Sequence, residues 1–293
     1  MWILLSLISA LAMASRLAVA KSLSAKFTAT FQTWLMVVFA IPVTILYIIP
    51  TFTEIPLDNT AFLLTTFIAS LGFVTANILI VKAGEYSPLS LTIPFLAITP
   101  IPAIAIEFFT LGNLPTLYGF IGILLVAVGG YVLNASESKK GILEPIKAIA
   151  REKGSMLAIL AAIIFAVGGT LTKYAVQESN ETAFITMWTV TNLAVATPLV
   201  LICSKCKKQI KETFKKGNLL KISAMGTFFA LAFITFSIAT LGANAAYIIA
   251  LKRTAGLFGV LMGWLIFKEV KITERLAGAV VMVAGVVLIA VLG

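Results

Sequence analysis

The sequence predicts an all-α membrane protein of ten transmembrane helices in two inverted five-helix repeats. The chain has 293 residues, of which 60% are apolar and only 12% are charged, whereas soluble chains are about 45–50% apolar and about 25% charged. The apolar residues form continuous runs, and a helix needs roughly 20 such residues to cross a bilayer. This composition excludes a soluble enzyme and a disordered chain.

Ten apolar runs follow one another along the chain. Helices satisfy their own backbone hydrogen bonds in lipid, and no run alternates as a barrel strand would. The predicted spans are residues 2–20, 28–49, 61–81, 87–110, 116–133, 155–176, 182–202, 219–241, 243–267 and 275–292. The first span has no basic segment before it and carries Arg16 near its end, so we expect a retained helix and not a signal peptide.

Basic residues are confined to alternate loops. All but four of the 22 Lys and Arg residues lie in, or directly beside, the loops that follow odd-numbered spans. The loops after even-numbered spans contain none and carry Glu54, Asp58, Glu178 and Glu181. The net charge of +10 therefore comes from loops and not from a nucleic-acid-binding face. By the positive-inside rule, the odd loops are cytoplasmic and both termini are external.

A constant shift overlays the two halves of the chain. It places Gly122 on Gly278 and Gly129 on Gly285, in the fifth and tenth spans. Within each half the two glycines are two helical turns apart and share one face. Small residues on one face let helices approach closely in lipid. We therefore predict that the fifth and tenth spans are packing helices and not site helices.

The overlay defines two repeats, residues 1–133 and 155–293, joined by a polar linker, residues 134–154. Because five is odd, the second repeat enters the membrane in the opposite direction to the first. Inverted repeats are typical of secondary transporters, which expose a central site to each side in turn. Within the linker, residues 142–149 are equally compatible with an amphipathic surface helix and with a solvated segment.

The end of the chain resembles a known family. Residues 263–269 read GWLIFKE and residues 278–286 read GAVVMVAGV. This resembles the end of an EamA-type domain of the drug/metabolite transporter superfamily, where a G-x-L-x-x-x-E turn precedes a G-x-x-x-x-x-x-G-V helix. In the first half Asn113 stands where that turn carries its acid, so any role of the acid is restricted to the second half.

The resemblance implies a cavity lined mainly by helices 1, 3, 4, 6, 8 and 9, and proton-coupled or exchange-type movement of small metabolites, often outward. It also implies cytoplasmic termini, which conflicts with the charge pattern, and we follow the charges. We predict a multi-pass plasma-membrane protein that exports small organic metabolites, such as amino acids or other anionic or zwitterionic compounds, by secondary active transport. The alternative is a flippase of the same fold for a lipid or lipid-linked head group.

Two adjacent cations lie in the middle of the ninth predicted span. A charge at this depth costs about 2.5–3.5 kcal/mol on insertion scales, so it indicates a function. Small residues share the face of Lys252 and leave room for an anionic group such as a carboxylate or phosphate, and Arg253 points elsewhere around the helix. The alternatives are an ion pair with Glu85 or Glu107, or a helix broken near Thr254.

Two further cations, Arg16 and Lys173, lie about one turn from the ends of the first and sixth spans. Both share a face with small residues, which favours an inward orientation and contact with substrate. Snorkelling of these long side chains to the interface is an equal alternative.

The fourth predicted span contains Pro94, Pro100 and Pro102. Proline interrupts helical hydrogen bonding, so these residues are candidates for a pathway lining or hinge, with an ordinary kink as the alternative. Glu85 and Glu107 flank the span and are candidates to carry a coupling proton if buried, while exposure at the interface is the alternative.

Three polar residues, Asn77, Asn244 and Tyr247, are candidates to orient a ligand or to hold helices together. The chain has no His, and its two cysteines, Cys203 and Cys206, cannot close a four-ligand zinc site. We therefore expect free thiols or a lipidation site beside the membrane, and no metal, no cofactor and no enzymatic activity. The expected partners are a small-molecule substrate and membrane lipid, with a homodimer as an option and no nucleic acid.

Overall fold

The architecture comes from a computed structural model, which describes residues 1–24, 26–86, 93–135, 143, 146, 152–267 and 273–293. The described residues form helices and no strand. The helices are α1 Trp2–Leu23, α2 Ala29–Thr51, α3 Thr60–Tyr86, α4 Pro100–Leu111, α5 Leu117–Ala135, α6 Lys153–Gln177, α7 Glu181–Ile202, α8 Ser204–Thr213, α9 Lys216–Ala239, α10 Ala245–Lys252, α11 Ala255–Phe267 and α12 Thr273–Leu292, with a 3₁₀ helix, Ile93–Ile98, before α4.

Within the described part of the chain, eight segments are long and apolar enough to cross a membrane. The other two apolar segments, Leu117–Leu133 of α5 and Ala277–Leu292 of α12, are the described parts of helices that coincide with the fifth and tenth predicted spans. Exposed Leu, Ile, Phe and Val side chains occur along these helices, as expected of surfaces that face lipid. The predicted class, an all-helical multi-pass membrane protein, is therefore confirmed.

The fourth predicted span is not one α-helix. Its described part begins as the 3₁₀ helix and continues as α4, with Thr99 between the two. Pro94 and Pro100 explain the interruption, because neither has a backbone N–H to donate, and Pro100 opens α4 where no donor is needed. Gly112 ends α4 in the left-handed conformation, with φ of 69°.

The ninth predicted span is also interrupted, so a single helix over residues 243–267 is wrong and the alternative break near Thr254 is confirmed. α10 ends at Lys252 and α11 begins at Ala255. At the break, the amides of Arg253 and Thr254 each donate to the carbonyl three residues earlier, at 3.0 Å. Such tight turns replace the α-helical pattern at helix ends.

Helices of the two halves pack against each other. α2 packs on α7 and α5 packs on α12, so helices at corresponding positions of the two halves meet. α3 packs on α6, and α1 packs on α9. These last two pairs are equivalent to each other. In each pair, the third membrane-spanning helix of one half packs on the first helix of the other half.

The glycines of α5 and α12 lie at the contact between these helices. A methyl group at Gly122 would lie 2.9 Å from the carbonyl oxygen of Gly285, and one at Gly129 would lie 2.7 Å from that of Gly278. The prediction that these spans are packing helices is therefore confirmed. Since the earlier glycine of α5 meets the later glycine of α12, the two helices run antiparallel.

The short helix α8 was not predicted, because its sequence is rich in lysine and lies in a loop. Cys206 and Thr213 are buried on one face of α8, two turns apart, and this spacing was the available signal. Cys203 and Cys206 form a disulfide, with Cα atoms 5.3 Å apart, a separation that suits such a bond. The expectation of free thiols is therefore wrong. Of the proposed linker helix, residues 142–149, only positions 143 and 146 lie within the described residues.

Candidate functional site

Three of the four cations within the spans meet near the break between α10 and α11. Lys252 is the last residue of α10 and Arg253 follows it, while Arg16 lies on α1, which packs on both α10 and α11. The fold therefore brings together three like charges that are far apart in sequence.

Two of these cations lie over aromatic rings of α9. The Lys252 Nζ atom is 4.0 Å from the ring centroid of Phe236, and the Arg16 Cζ atom is 6.0 Å from that of Phe229. The two rings are seven residues apart and share one face of α9. A ring face attracts a cation through its quadrupole, so this face of α9 holds both positive charges without neutralising them.

Arg16 points into the protein. Its side chain is only 8% exposed, and Nη1 lies 2.9 Å from the Met36 sulfur, a weak acceptor. The Nε atoms of Arg16 and of Arg253 are buried and have no hydrogen-bond partner in the part of the chain that the structure describes. Buried donors normally have a partner, so the Nε–H group of each guanidinium can still donate a hydrogen bond to an acceptor.

The fourth cation, Lys173, lies in a different environment. Its Nζ atom is 2.7 Å from Oε1 of Glu107, and the side chains are 6% and 2% exposed. The same carboxylate accepts hydrogen bonds from the amides of Ala245 and Ala246, at 2.9 Å and 3.0 Å. Lys173 is therefore engaged in an internal ion pair and is separate from the three-cation cluster.

Among the described residues, the three clustered cations have no matching acid. Across the described ranges, no carboxylate lies within 4.0 Å of Arg16, Lys252 or Arg253. An unpaired charge away from bulk water carries a desolvation penalty of several kcal/mol. An anion that entered from water would relieve this penalty and would use the free guanidinium donors.

The helix after the break, α11, has open space at one position, and the cations at the break are accessible. A methyl group added at Gly259 would meet no atom within 4 Å, and Lys252 and Arg253 are themselves partly exposed. The small residues predicted to share a face with Lys252 include Gly256 and Gly259, but the break divides this face, so these glycines belong to a separate helix segment.

The remaining predicted site residues take part in contacts between or within helices. The Asn77 amide donates to the Phe73 carbonyl of its own helix at 2.8 Å. The Asn244 amide donates to the Leu114 carbonyl at 3.3 Å, and the Tyr247 hydroxyl accepts from the Thr116 amide at 2.9 Å.

Of the predicted gating residues, Pro94 and Pro100 are buried at the interruption before α4, and Pro102 is partly exposed in the first turn of that helix. Glu85 lies near the end of α3, and its side chain is outside the described part of the chain. Sequence analysis did not identify Phe229 or Phe236, although their spacing of two turns on one apolar helix was a usable signal.

Comparisons with known proteins agree with this fold. A sequence model of the EamA-like transporter family matches residues 1–135 and residues 152–291. No curated protein matches the chain in sequence. A solved crystal structure, described only as that of a protein, superposes with a TM-score of 0.75 and 15% identity over 99% of this chain and 96% of that chain. That likeness shows a shared fold.

Proposed function

Since the chain belongs to the EamA-like transporter family, we propose that it is a secondary active transporter of small organic anions. Membership of this family and the apolar helices make it an integral, multi-pass membrane protein. In the proposal it acts at the plasma membrane, and its substrates are metabolites that carry a carboxylate or phosphate.

The observation that carries the proposal is the cluster of Arg16, Lys252 and Arg253, for which the described residues provide no carboxylate partner. A bound anion would supply the missing charge and would accept hydrogen bonds from the guanidinium groups. Charge-assisted hydrogen bonds of this kind are short and strong, and arginine is well suited to carboxylate and phosphate.

Alternating access through two inverted repeats is the mechanism we propose, with residues 1–133 and 155–293 as the repeats and ten transmembrane segments in total. The antiparallel contact of α5 with α12 supports opposite orientation of the halves. The reciprocal pairs α3 with α6 and α1 with α9 support a twofold relation between them. Interrupted helices at corresponding positions of both halves are typical of transport sites near the bilayer midplane.

For coupling we propose exchange of one anion for another. Both oxygens of Glu107, the buried carboxylate of the described spans, are already bound by Lys173 and by two backbone amides. An empty cationic site keeps its desolvation penalty, whereas a bound anion relieves it. The site is therefore suited to exchange, because the transporter returns to its starting orientation most easily with a second anion bound. The resemblance to exporters favours outward movement of the metabolite.

The test uses the purified full chain in proteoliposomes with radiolabelled succinate, inorganic phosphate and, as an uncharged control, glucose. We expect uptake of at least one anion to accelerate when the liposomes are preloaded with the same anion, and no uptake of glucose. Absence of counterflow for both anions would overturn the proposal, as would flipping of a fluorescent phospholipid without anion transport, which would favour the flippase.

A matched pair of variants assigns the activity to the site. Lys252→Met removes one cation of the cluster, whereas Lys221→Met removes an exposed lysine on α9. Loss of a hydrogen bond to a charged group corresponds to roughly 10- to 100-fold weaker anion binding, so we expect this increase in KM for Lys252→Met alone. Equal KM values in the two variants would exclude Lys252 from the site.

A further inference from the structure

The N-terminus of α10 is capped by a residue from the other half of the chain. Asn244 is the N-cap residue of α10, and its side chain makes no capping hydrogen bond. Instead, Oε1 of Glu107 accepts from the amide of Ala245 at 2.9 Å, and Oε2 accepts from the amide of Ala246 at 3.0 Å. Helix N-termini favour a negative charge at this place, so Glu107 of α4 performs the function that the local N-cap leaves undone.

Lys173 completes this junction. It donates to Oε1 of Glu107 at 2.7 Å, and both side chains are almost fully buried. The carboxylate therefore joins three elements, namely α4 of the first half and α6 and α10 of the second. No oxygen of Glu107 remains without a partner.

α10 behaves as a short block whose two ends have different surroundings. Every residue from Ala245 to Leu251 is buried, and the Tyr247 hydroxyl accepts a further hydrogen bond from the Thr116 amide at 2.9 Å. At the other end the helix stops at Lys252, and the break separates it from α11. The described hydrogen bonds that join this block to other helices therefore lie at its N-terminal end.

Because α10 has eight residues, its two ends are about 12 Å apart at the usual rise per residue. Lys252 is the last residue of this helix, and Arg253 follows directly. Any movement of the capped end is transmitted to these cations, since an eight-residue helix with internal hydrogen bonds moves as a unit.

We propose that Glu107 is a positioning residue, which fixes α10 at its N-terminus and thereby places Lys252 and Arg253 for the anion. This inference deepens the proposed function and rests on it for the identity of the site. Glu107 itself touches no substrate, and Lys173 acts by orienting the carboxylate.

Charge reversal distinguishes this role from that of an ordinary ion pair. In the double variant Glu107→Lys with Lys173→Glu, the two side chains keep opposite charges and can still pair. Lysine has no acceptor atom, however, so the amides of Ala245 and Ala246 lose their partner. A simple ion pair predicts recovery in the double variant, whereas the positioning role predicts that it stays as impaired as Glu107→Lys alone.

The direct measurement is the alkylation of a cysteine at Ala250, which is fully buried on α10. The background carries Cys203→Ser and Cys206→Ser, and the reagent is a water-soluble maleimide. A cysteine at Ala183, fully buried at the start of α7, serves as the control for general unfolding. Loss of an N-cap contact increases local opening roughly 2- to 30-fold, so Glu107→Ala should accelerate alkylation at position 250 by this factor and leave position 183 unchanged.

Glu107→Gln keeps an acceptor oxygen and should give a smaller increase, which provides a milder variant if Glu107→Ala does not fold. Unchanged alkylation at position 250 in both variants would overturn the positioning role, even if Lys252→Met still abolished transport. Accelerated alkylation together with unaltered transport by Lys252→Met would instead overturn the proposed function and leave the junction intact. In the transport assay, Glu107→Gln should raise KM for the transported anion, and recovery of KM by the charge-reversed double variant would contradict the proposal.

Discussion

Thr99 and Thr254 occupy equivalent points in two interrupted helices, one in each half of the chain. The hydroxyl of Thr99 donates to the carbonyl of Leu96, and that of Thr254 donates to the carbonyl of Leu251, each at 2.6 Å. Both threonines are almost fully buried. They lie one residue out of register with the shift that overlays Gly122 on Gly278. In each case the amide of the same threonine also donates to that carbonyl, so the hydroxyl adds a second hydrogen bond at the break.

This relationship predicts that the hydroxyl of Thr254 stabilises the break. Thr254→Val preserves the shape of the side chain but leaves the Leu251 carbonyl without the hydroxyl. That carbonyl still accepts from the amide of residue 254 at 3.0 Å, so the change removes one hydrogen bond of two, and a typical hydrogen bond contributes about 0.5–1.5 kcal/mol. We expect a lower midpoint of thermal unfolding in detergent. Thr254→Ser retains the hydroxyl and is the control, and equal midpoints for the two variants would show that the hydrogen bond is dispensable.

The ring of Phe236 should hold the ammonium group of Lys252 in place. Phe236→Leu removes the ring whose centroid is 4.0 Å from Nζ, and such a contact contributes about 0.5–2 kcal/mol. We expect KM for the transported anion to rise roughly 2- to 30-fold, because Lys252 is then less well placed. Phe236→Tyr keeps a ring and should resemble the native protein. A native KM in Phe236→Leu would contradict this role.

The contact between α5 and α12 should not tolerate a side chain at its centre. A Cβ atom at Gly129 would lie 2.5 Å from the backbone nitrogen of Met282, so Gly129→Ala must separate the helices. Overpacking of this kind costs about 1–3 kcal/mol, and the unfolding midpoint should fall. A Cβ atom at Gly217 would meet nothing within 4 Å, so Gly217→Ala is the matched control. A similar midpoint in both variants would rule out close packing at Gly129.

The distribution of charge predicts that the loop containing α8 is cytoplasmic. After reduction of the disulfide, a membrane-impermeant maleimide should label Cys203 in inside-out vesicles and not in right-side-out vesicles. Asp58→Cys, in a background without the native cysteines, places an exposed thiol in the loop after the second span, which lacks basic residues. This thiol should be labelled in right-side-out vesicles and not in inside-out vesicles. Labelling of Cys203 from outside would instead support the orientation implied by the family resemblance.

The ion pair of Glu107 illustrates what the sequence left open. Sequence analysis offered Glu107 or Glu85 as partners for Lys252 and Arg253, and it offered snorkelling or substrate contact for Lys173. The structure pairs Glu107 with Lys173. The ends of the fourth and sixth spans lie on the same side of the membrane, which made this pair feasible, but nothing in the sequence reports the distance between two side chains on different helices.

The break after Lys252 is a second feature that the sequence left undecided. The run of residues 243–267 is mostly apolar, with Asn244, Thr254 and the two cations as exceptions, and hydropathy predicts one helix across it. The threonine hydroxyl and the tight turn at Arg253 and Thr254 are local features, yet they produce a break only because neighbouring helices surround the released backbone groups.

The sequence by itself determined the membrane class, the apolar segments and the paired glycines of α5 and α12, because hydrophobic run length and residue spacing are properties of the linear chain. The tertiary structure decided which charges are neutralised: Lys173 by Glu107, and Arg16, Lys252 and Arg253 by no carboxylate among the described residues. Electrostatic interactions depend on separation and surroundings in three dimensions, and these were fixed only when helices from both halves came together.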